Sequence, residues 1–184
     1  TRSLAVVATG GTVLREDGAL PGAVLVRVAA SHLRVGTFQY LRASDQLPVL
    51  KTAVRYALER HHPAGLSAEN LPRALFEYVV GAQAALVAQW LTVGFVHGVM
   101  NTDNVTISGE TIDYGPCAFL DSYDPGVVFS SIDTGGRYAY GNQPNIAQWN
   151  LTRFAEALLP VIAHEETEAV EAGSKVLAQF PARF

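Results

Sequence analysis

The chain has 184 residues, 49% hydrophobic and 16% charged, with a mean hydropathy of +0.17. That is enough apolar material for the core of one domain, or a large piece of one, and it excludes a disordered segment. A formal charge of −4 and a pI near 5.7 supply no global basic field, so nucleic acid is not an expected partner. The single cysteine, Cys117, excludes an intrachain disulfide framework and any multi-cysteine zinc site. It also fits a reducing compartment.

No run reaches the roughly 18 uninterrupted apolar residues of a membrane helix. The longest candidate, Val79 to Val96, is broken by Gln83, Gln89, Thr92 and two glycines, so no membrane partner is expected. Thr1-Arg2-Ser3 leads straight into an apolar run and does not form a signal peptide. With an equally abrupt end at Gln179 to Phe184, the expectation is one partial domain over 1–184, an internal fragment of a longer chain.

Leu4 to Ala8 reads as a buried strand, Gly10-Gly11 as a turn, and Thr12 to Arg15 as a second short strand. Pro21-Gly22 reads as another turn before a strand-like Ala23 to Ala29. Arg27 and Arg34 stand seven residues apart around Ser31-His32. Apolar residues from Pro48 to His61 recur at helical spacing, with Ser44 or Asp45 as a start signal and Pro63-Ala64-Gly65 as a stop. His61-His62 reads as a solvated pair at that helix end. A long helix follows from about Asn70 to Val93, ended by Gly94. His97 to Asn104 is then a polar loop, and Val105 to Ile107 with Thr111 to Asp113 reads as a hairpin. Tyr114 to Pro144, rich in Gly, Pro, Asp and Tyr, shows no periodicity, and irregular segments this long are more often functional than accidental. Helical spacing resumes over Ile146 to Ile162 and again over Glu165 to Phe180.

The informative constellation is His97-Gly-Val-Met-Asn-Thr-Asp-Asn104, followed nine residues later by Asp113-Tyr-Gly115. A helix, a His-led loop, an Asn seven residues on, a hairpin and then Asp-aromatic-Gly is the layout of a protein-kinase catalytic core. In that layout the Asn oxygen and the Asp carboxylate hold Mg²⁺ on the phosphates of ATP. Hard oxygen donors suit Mg²⁺, with Mn²⁺ as a chemical substitute. The fold class read from this pattern is α+β, mainly α: a protein-kinase-like fold, its C-terminal lobe with small β-hairpins and most of the N-terminal lobe missing. One part of the kinase pattern is absent. Val99 stands where kinases carry their catalytic Asp, and valine can neither accept a proton nor orient a hydroxyl. Asp103, beside Asn104, is the nearest replacement base.

The sequence resembles the selenoprotein O family of protein adenylyltransferases. The resemblance runs through Leu20 to Arg27, Ser31 to Phe38, His97 to Asn104, Thr111 to Pro116, Phe119 to Asp121 and Gly136 to Pro144. It implies transfer of AMP from ATP to Ser, Thr or Tyr hydroxyls of other proteins, with ATP flipped relative to kinases so that its α-phosphate faces the acceptor. It assigns Asp103 as proton acceptor, Asn104 and Asp113 as Mg²⁺ ligands with Asp113 also at the nucleotide, and Arg27 and Arg34 to the phosphates. Guanidinium groups suit that task because they bond phosphate oxygens in bidentate fashion. The glycine-rich loop and the Lys and Glu of the nucleotide site have no counterpart here; Lys51 lies mid-helix, so activity of this stretch alone is not expected. A γ-phosphoryl-transferring kinase and a nucleotide-binding pseudokinase acting as scaffold or sensor are the competing readings. The expected compartment is the bacterial cytoplasm, or the mitochondrion for a eukaryotic source.

Blander roles compete at other positions. His97 reads as a structural loop histidine, Cys117 as a small buried hydrophobe, and Tyr138 and Tyr140 as either acceptor-protein contacts or packing of the irregular segment.

Overall fold

The computed structural model describes residues 1–16 and 18–184, which divide into two units, 1–30 and 31–184. The first is an antiparallel hairpin of β1 (Arg2–Arg15) and β2 (Gly18–Val28), with register running from Arg2 opposite Val28 to Arg15 opposite Gly18. Three expectations are corrected here. Gly10-Gly11 is not a turn between two strands but lies at a register shift inside one continuous strand, where Gly10 takes φ +74°. Pro21-Gly22 is likewise inside β2, with Pro21 opposite Thr12; an edge strand tolerates the missing N–H. Leu4 to Ala8 is exposed rather than buried, because a two-stranded ribbon has no second layer of its own.

The second unit is helical and built around one core. Its helices are α1 (Val35–Ala43), α2 (Leu47–His61), α3 (Leu71–Thr92), α4 (Gln143–Ile162), α5 (Glu166–Leu177) and α6 (Phe180–Arg183). Short strands β3 (Phe95–Val96) and β4 (Ala118–Phe119) pair antiparallel. The class is therefore α+β and mainly helical, as the sequence suggests. The α1 helix has no counterpart in the sequence reading: it is nine residues long with Gly36 and Thr37 in its first turn, and only Val35 and Phe38 are buried. Neither Ser44 nor Asp45 caps α2. Gln46 precedes its first turn without a side-chain bond, and Asp45 turns the chain at φ +53°.

Helices α3 and α4 form the centre. Phe154 of α4 meets Phe38 edge-on at 5.0 Å and Phe76 of α3 at 5.9 Å, and Leu75, Val79, Leu151 and Leu158 are fully buried around them. Each such side chain contributes about 1.5–3 kcal/mol by leaving water. By length and composition α3 would also pass for a membrane span, but its buried face packs on α4 and α5. Asn70 binds the ends of the two central helices together. Its Oδ1 accepts from the Arg73 N–H at 3.0 Å, capping α3, while its Nδ2 donates to the Ile162 carbonyl at the end of α4 at 2.8 Å. The pair His61-His62 is not simply solvated either: Nε2 of His61 shares a hydrogen bond with Ser31 Oγ at 2.8 Å, and His62 stacks on Tyr78.

Polar braces fix the loops on this core. Gln143, the fully buried first residue of α4, donates to the Phe95 carbonyl at 2.9 Å and accepts from the His97 N–H at 3.0 Å. His97 is also fully buried. Its Nε2 lies 2.7 Å from the Ile112 carbonyl and its Nδ1 lies 3.3 Å from the Val99 N–H, so the network assigns a neutral ring with the proton on Nε2. Burial lowers its pKa, partly opposed by the Ile112 carbonyl and the Asp113 carboxylate.

Two stability outcomes follow. Replacing Asn70 by Ala removes a cap and a helix-end donor together and is expected to cost about 1–3 kcal/mol in urea unfolding of the full-length protein, with Asn70→Asp, which keeps the cap acceptor, intermediate. For His97 the unfolded chain protonates near pH 6.5 and the folded chain only at lower pH. Its contribution is complete above that value and is lost as pH falls from there toward the folded pKa. The urea midpoint is therefore expected to drop between pH 7.5 and 5.5, and His97→Gln should flatten the dependence. His61, lowered by burial and by Arg60, acts in the same direction, so the comparison is made in a His61→Gln background.

Candidate functional site

The loop after β3 begins where Gly94, at φ +70°, ends α3 and reverses the chain. Held at His97 and Met100 by α4, it closes into a short 3₁₀ turn, Thr102–Asn104, in which the Asn104 N–H donates to the Asn101 carbonyl at 2.8 Å. Asn150, fully buried on α4, makes the Met100 contact by donating Nδ2 to its carbonyl at 2.9 Å. Its Oδ1 is buried without a partner, at a typical cost of about 1–3 kcal/mol, so the residue serves loop placement better than net stability. Helix α1 packs flat on the turn. A Cβ at Gly36 would sit 3.4 Å from the Asp103 Cα and backbone N, in van der Waals contact with the turn.

Asp103 is exposed at this turn. Asn104 commits its Nδ2 to the Val99 carbonyl at 3.1 Å, which leaves Oδ1 as the acceptor end. Asp113 directly follows Ile112, the residue whose carbonyl His97 grips, and takes φ +63°. An L-residue in the left-handed region is held there at a cost, though Asp tolerates it better than most, and such strain clusters at functional positions. The expected hairpin between them is reduced to one bridge, Val105 opposite Thr111. The turn is closed instead by Thr106, whose hydroxyl donates to the Glu110 carbonyl at 2.7 Å and accepts the Glu110 N–H at 3.1 Å.

Arg34 joins the same neighbourhood through its backbone. It bridges Thr106, and the flanking Val35 N–H and Leu33 carbonyl bond Val105 and Ile107 at 2.9 and 3.1 Å. Its Nε is buried with no hydrogen-bond partner. The ion pairs among the described residues, Arg73–Glu77, Arg153–Glu156 and Lys175–Glu171, do not include it. A guanidinium partly withdrawn from water without a carboxylate is suited to an anion brought by a ligand.

The structure thus gathers Arg34, Asp103, Asn104 and Asp113 on segments that pair or brace one another. Arg27 lies on β2, in the hairpin unit, and is half-buried there. Among the described residues no group of three or more His, Cys, Asp or Glu could hold a metal by itself. One amide oxygen and one carboxylate are the sparse, hard donor set that fits Mg²⁺, which keeps waters and borrows phosphate oxygens, and not a caged Ca²⁺ or Zn²⁺. Cys117 is half-buried and burial raises its pKa, in keeping with an inert thiol. Sequence reading missed Gln143 and Asn150. Their signal was available: two amides seven residues apart lie on one face of a helix otherwise apolar there.

The family model described as protein adenylyltransferase SelO matches residues 1–183. The chain is 63% identical over 184 residues to the protein nucleotidyltransferase YdiU of Anoxybacillus flavithermus, covering 100% of this chain and 38% of that protein. It is 62% identical over 188 residues to the YdiU protein of Mycolicibacterium smegmatis, covering 100% of this chain and 39% of that one. A third, from Methylorubrum extorquens, is 60% identical over 184 residues, with 100% and 37% covered. The chain therefore spans less than two fifths of the length of these curated relatives. A match of this extent means that the chain belongs to the protein adenylyltransferase SelO family.

Proposed function

We propose that this chain carries the acceptor-activating and metal-binding part of a bacterial, cytoplasmic protein adenylyltransferase with a kinase-like fold, which moves AMP from ATP to Ser, Thr or Tyr hydroxyls of other proteins. The observation that carries the reading is the joint placement of the Asp103–Asn104 turn and the left-handed Asp113, tied to one buried neutral imidazole. The family and the printed function of its relatives, protein nucleotidyltransferase, support it.

In this reading the acceptor hydroxyl oxygen attacks the α-phosphorus of ATP. The new P–O bond forms as the bond from the α-phosphorus to the bridging oxygen breaks, and pyrophosphate leaves with that oxygen. Asp103, exposed beside the site, accepts the hydroxyl proton, the role Val99 cannot fill. Arg34 and Arg27 bind phosphate oxygens and offset the charge that grows on the leaving pyrophosphate. Asn104 and Asp113 would hold Mg²⁺, or Mn²⁺ in its place, which when bound neutralises phosphate charge. His97 is a poor acid or base in this scheme: it is buried, and both its nitrogens are engaged. The domain is read as part of a larger catalytic unit whose remaining chain supplies the rest of the nucleotide site.

The test uses full-length protein with ATP labelled at the α- or the γ-phosphate. Label from the α-position alone should enter protein; entry of γ-label would mean a kinase, and tight nucleotide binding with no labelled product would mean a pseudoenzyme. Asp113→Ala should abolish transfer and the dependence of ATP binding on Mg²⁺. In contrast, Asp103→Asn should lower kcat by about 10²–10⁴-fold while ATP still binds. Arg34→Lys should not rescue the loss in Arg34→Ala, since a point charge does not reproduce the planar fork.

A further inference from the structure

The irregular segment that precedes α4 is attached to the Asp103 turn by a side-chain hydrogen bond between Tyr138 and Asn101. Asn is among the best N-cap residues, because its side-chain oxygen ordinarily accepts a backbone N–H from the first turn of its own helix. Asn101 stands in that position before the Thr102–Asn104 turn, with extended backbone (φ −73°, ψ 163°), yet makes no side-chain cap. Its Oδ1 instead accepts the hydroxyl proton of Tyr138.

Tyr138 is held rigidly for that purpose. The Asp133 carboxylate accepts the N–H of Arg137 at 2.8 Å and that of Tyr138 at 2.7 Å, closing a tight turn just before the ring. The ring is 9% exposed, and the guanidinium of Arg137 spans from it to the Trp149 ring of α4, 4.5 Å from the latter's centroid. Next along the chain, the Tyr140 hydroxyl donates to the Leu91 carbonyl of α3 at 2.6 Å. One end of the segment is therefore fixed to the helical core, and Tyr138 passes that fixity to a turn whose own cap is missing. Packing is thus the role of Tyr140, whereas the Tyr138 hydroxyl reaches out of the core to an exposed residue.

We propose that Tyr138 is a positioning residue for the Asp103–Asn104 turn, acting through Asn101. The inference rests on the reading of Asp103 as the proton acceptor given above. Freed from Tyr138, the Asn101 side chain no longer holds the start of the turn, and the Asp103 carboxylate loses its fixed place relative to the acceptor hydroxyl. Asn104 is held separately by its own bond to the Val99 carbonyl, and Arg34 by its bridge to Thr106, so the defect should fall on Asp103 and turnover and not on ATP binding.

The experiment is a kinetic and exchange study of full-length Tyr138→Phe, which keeps the ring and deletes only the hydroxyl. Misplacement of a catalytic group by a fraction of an ångström is expected to lower kcat for AMP transfer by about tenfold, with KM for ATP within about twofold of the parent. Asn101→Ala, at an exposed position that should not impair folding, should show the same split, and the double variant should be no worse than either single one. Amide exchange over residues 101–105 should quicken in both single variants. Unchanged kcat in Tyr138→Phe, losses that multiply in the double variant, or a raised KM at constant kcat would each overturn the proposal. The parent protein with α-labelled ATP tests the functional reading separately. If the parent transfers no AMP, that reading fails, and the exchange data alone decide the tether: quickened exchange upholds it and unchanged exchange refutes it.

Discussion

The site depends on a buried imidazole kept without charge. His97 donates from one nitrogen to the carbonyl before Asp113 and accepts at the other from the loop that leads to Asp103 and Asn104. Both bonds require the neutral ring: a protonated Nδ1 could no longer accept, and a cation there would stand in a fully buried position. Two loops far apart in character, one a polar turn and one a strained left-handed corner, are thereby fixed to a single rigid group. The ring is fixed in turn, because the His97 N–H is held by Gln143 at the start of α4 and its face lies against Trp90. Placement of the acidic and amide oxygens is inherited from the helical core rather than from the loops themselves.

That inheritance explains the division of labour inside the helical unit. Apolar contact among α1, α3 and α4 supplies the bulk of the driving force, with Phe154 between Phe38 and Phe76. The buried amides of Gln143 and Asn150 add little net stability, and the second even leaves an oxygen without a partner. What they add is direction, since Gln143 grips backbone groups of Phe95 and His97 and Asn150 that of Met100. Arg34 resembles them in reverse. Its unmatched buried Nε is a standing cost that an incoming anion would relieve.

Much of this was readable in the sequence, for physical reasons that differ by element. Helices α2, α3 and α4 have long apolar stripes, and α2 and α3 proper stop signals as well, so periodicity finds them within a few residues. The His97 to Asp113 spacing was legible because the residue types are chemically specific. Helix α1 was not, since nine residues with a Gly-Thr opening carry too few apolar positions to show a period. In the hairpin, Gly10-Gly11 and Pro21-Gly22 mark turns and bulges with the same letters, and only pairing partners distinguish them. Exposure of Leu4 and Leu14 was equally illegible, because apolar strands look alike whether or not a layer covers them. Among the site residues, the sequence named candidates but not their supports: the strain at Asp113 and the Tyr138–Asn101 bond are properties of backbone angles and of segments dozens of residues apart.

Asn70 has a consequence for how the molecule assembles. Its carboxamide belongs at once to the first turn of α3 and the last turn of α4, across 92 residues of chain. The cap on α3 is local and can form with that helix, whereas the bond to the Ile162 carbonyl forms only when nearly the whole intervening stretch has been gathered. Closing so large a loop is entropically demanding, which favours a late and concerted docking of the two helices over stepwise growth from either end. The loops that bear Asp103 and Asp113 lie within that enclosed stretch.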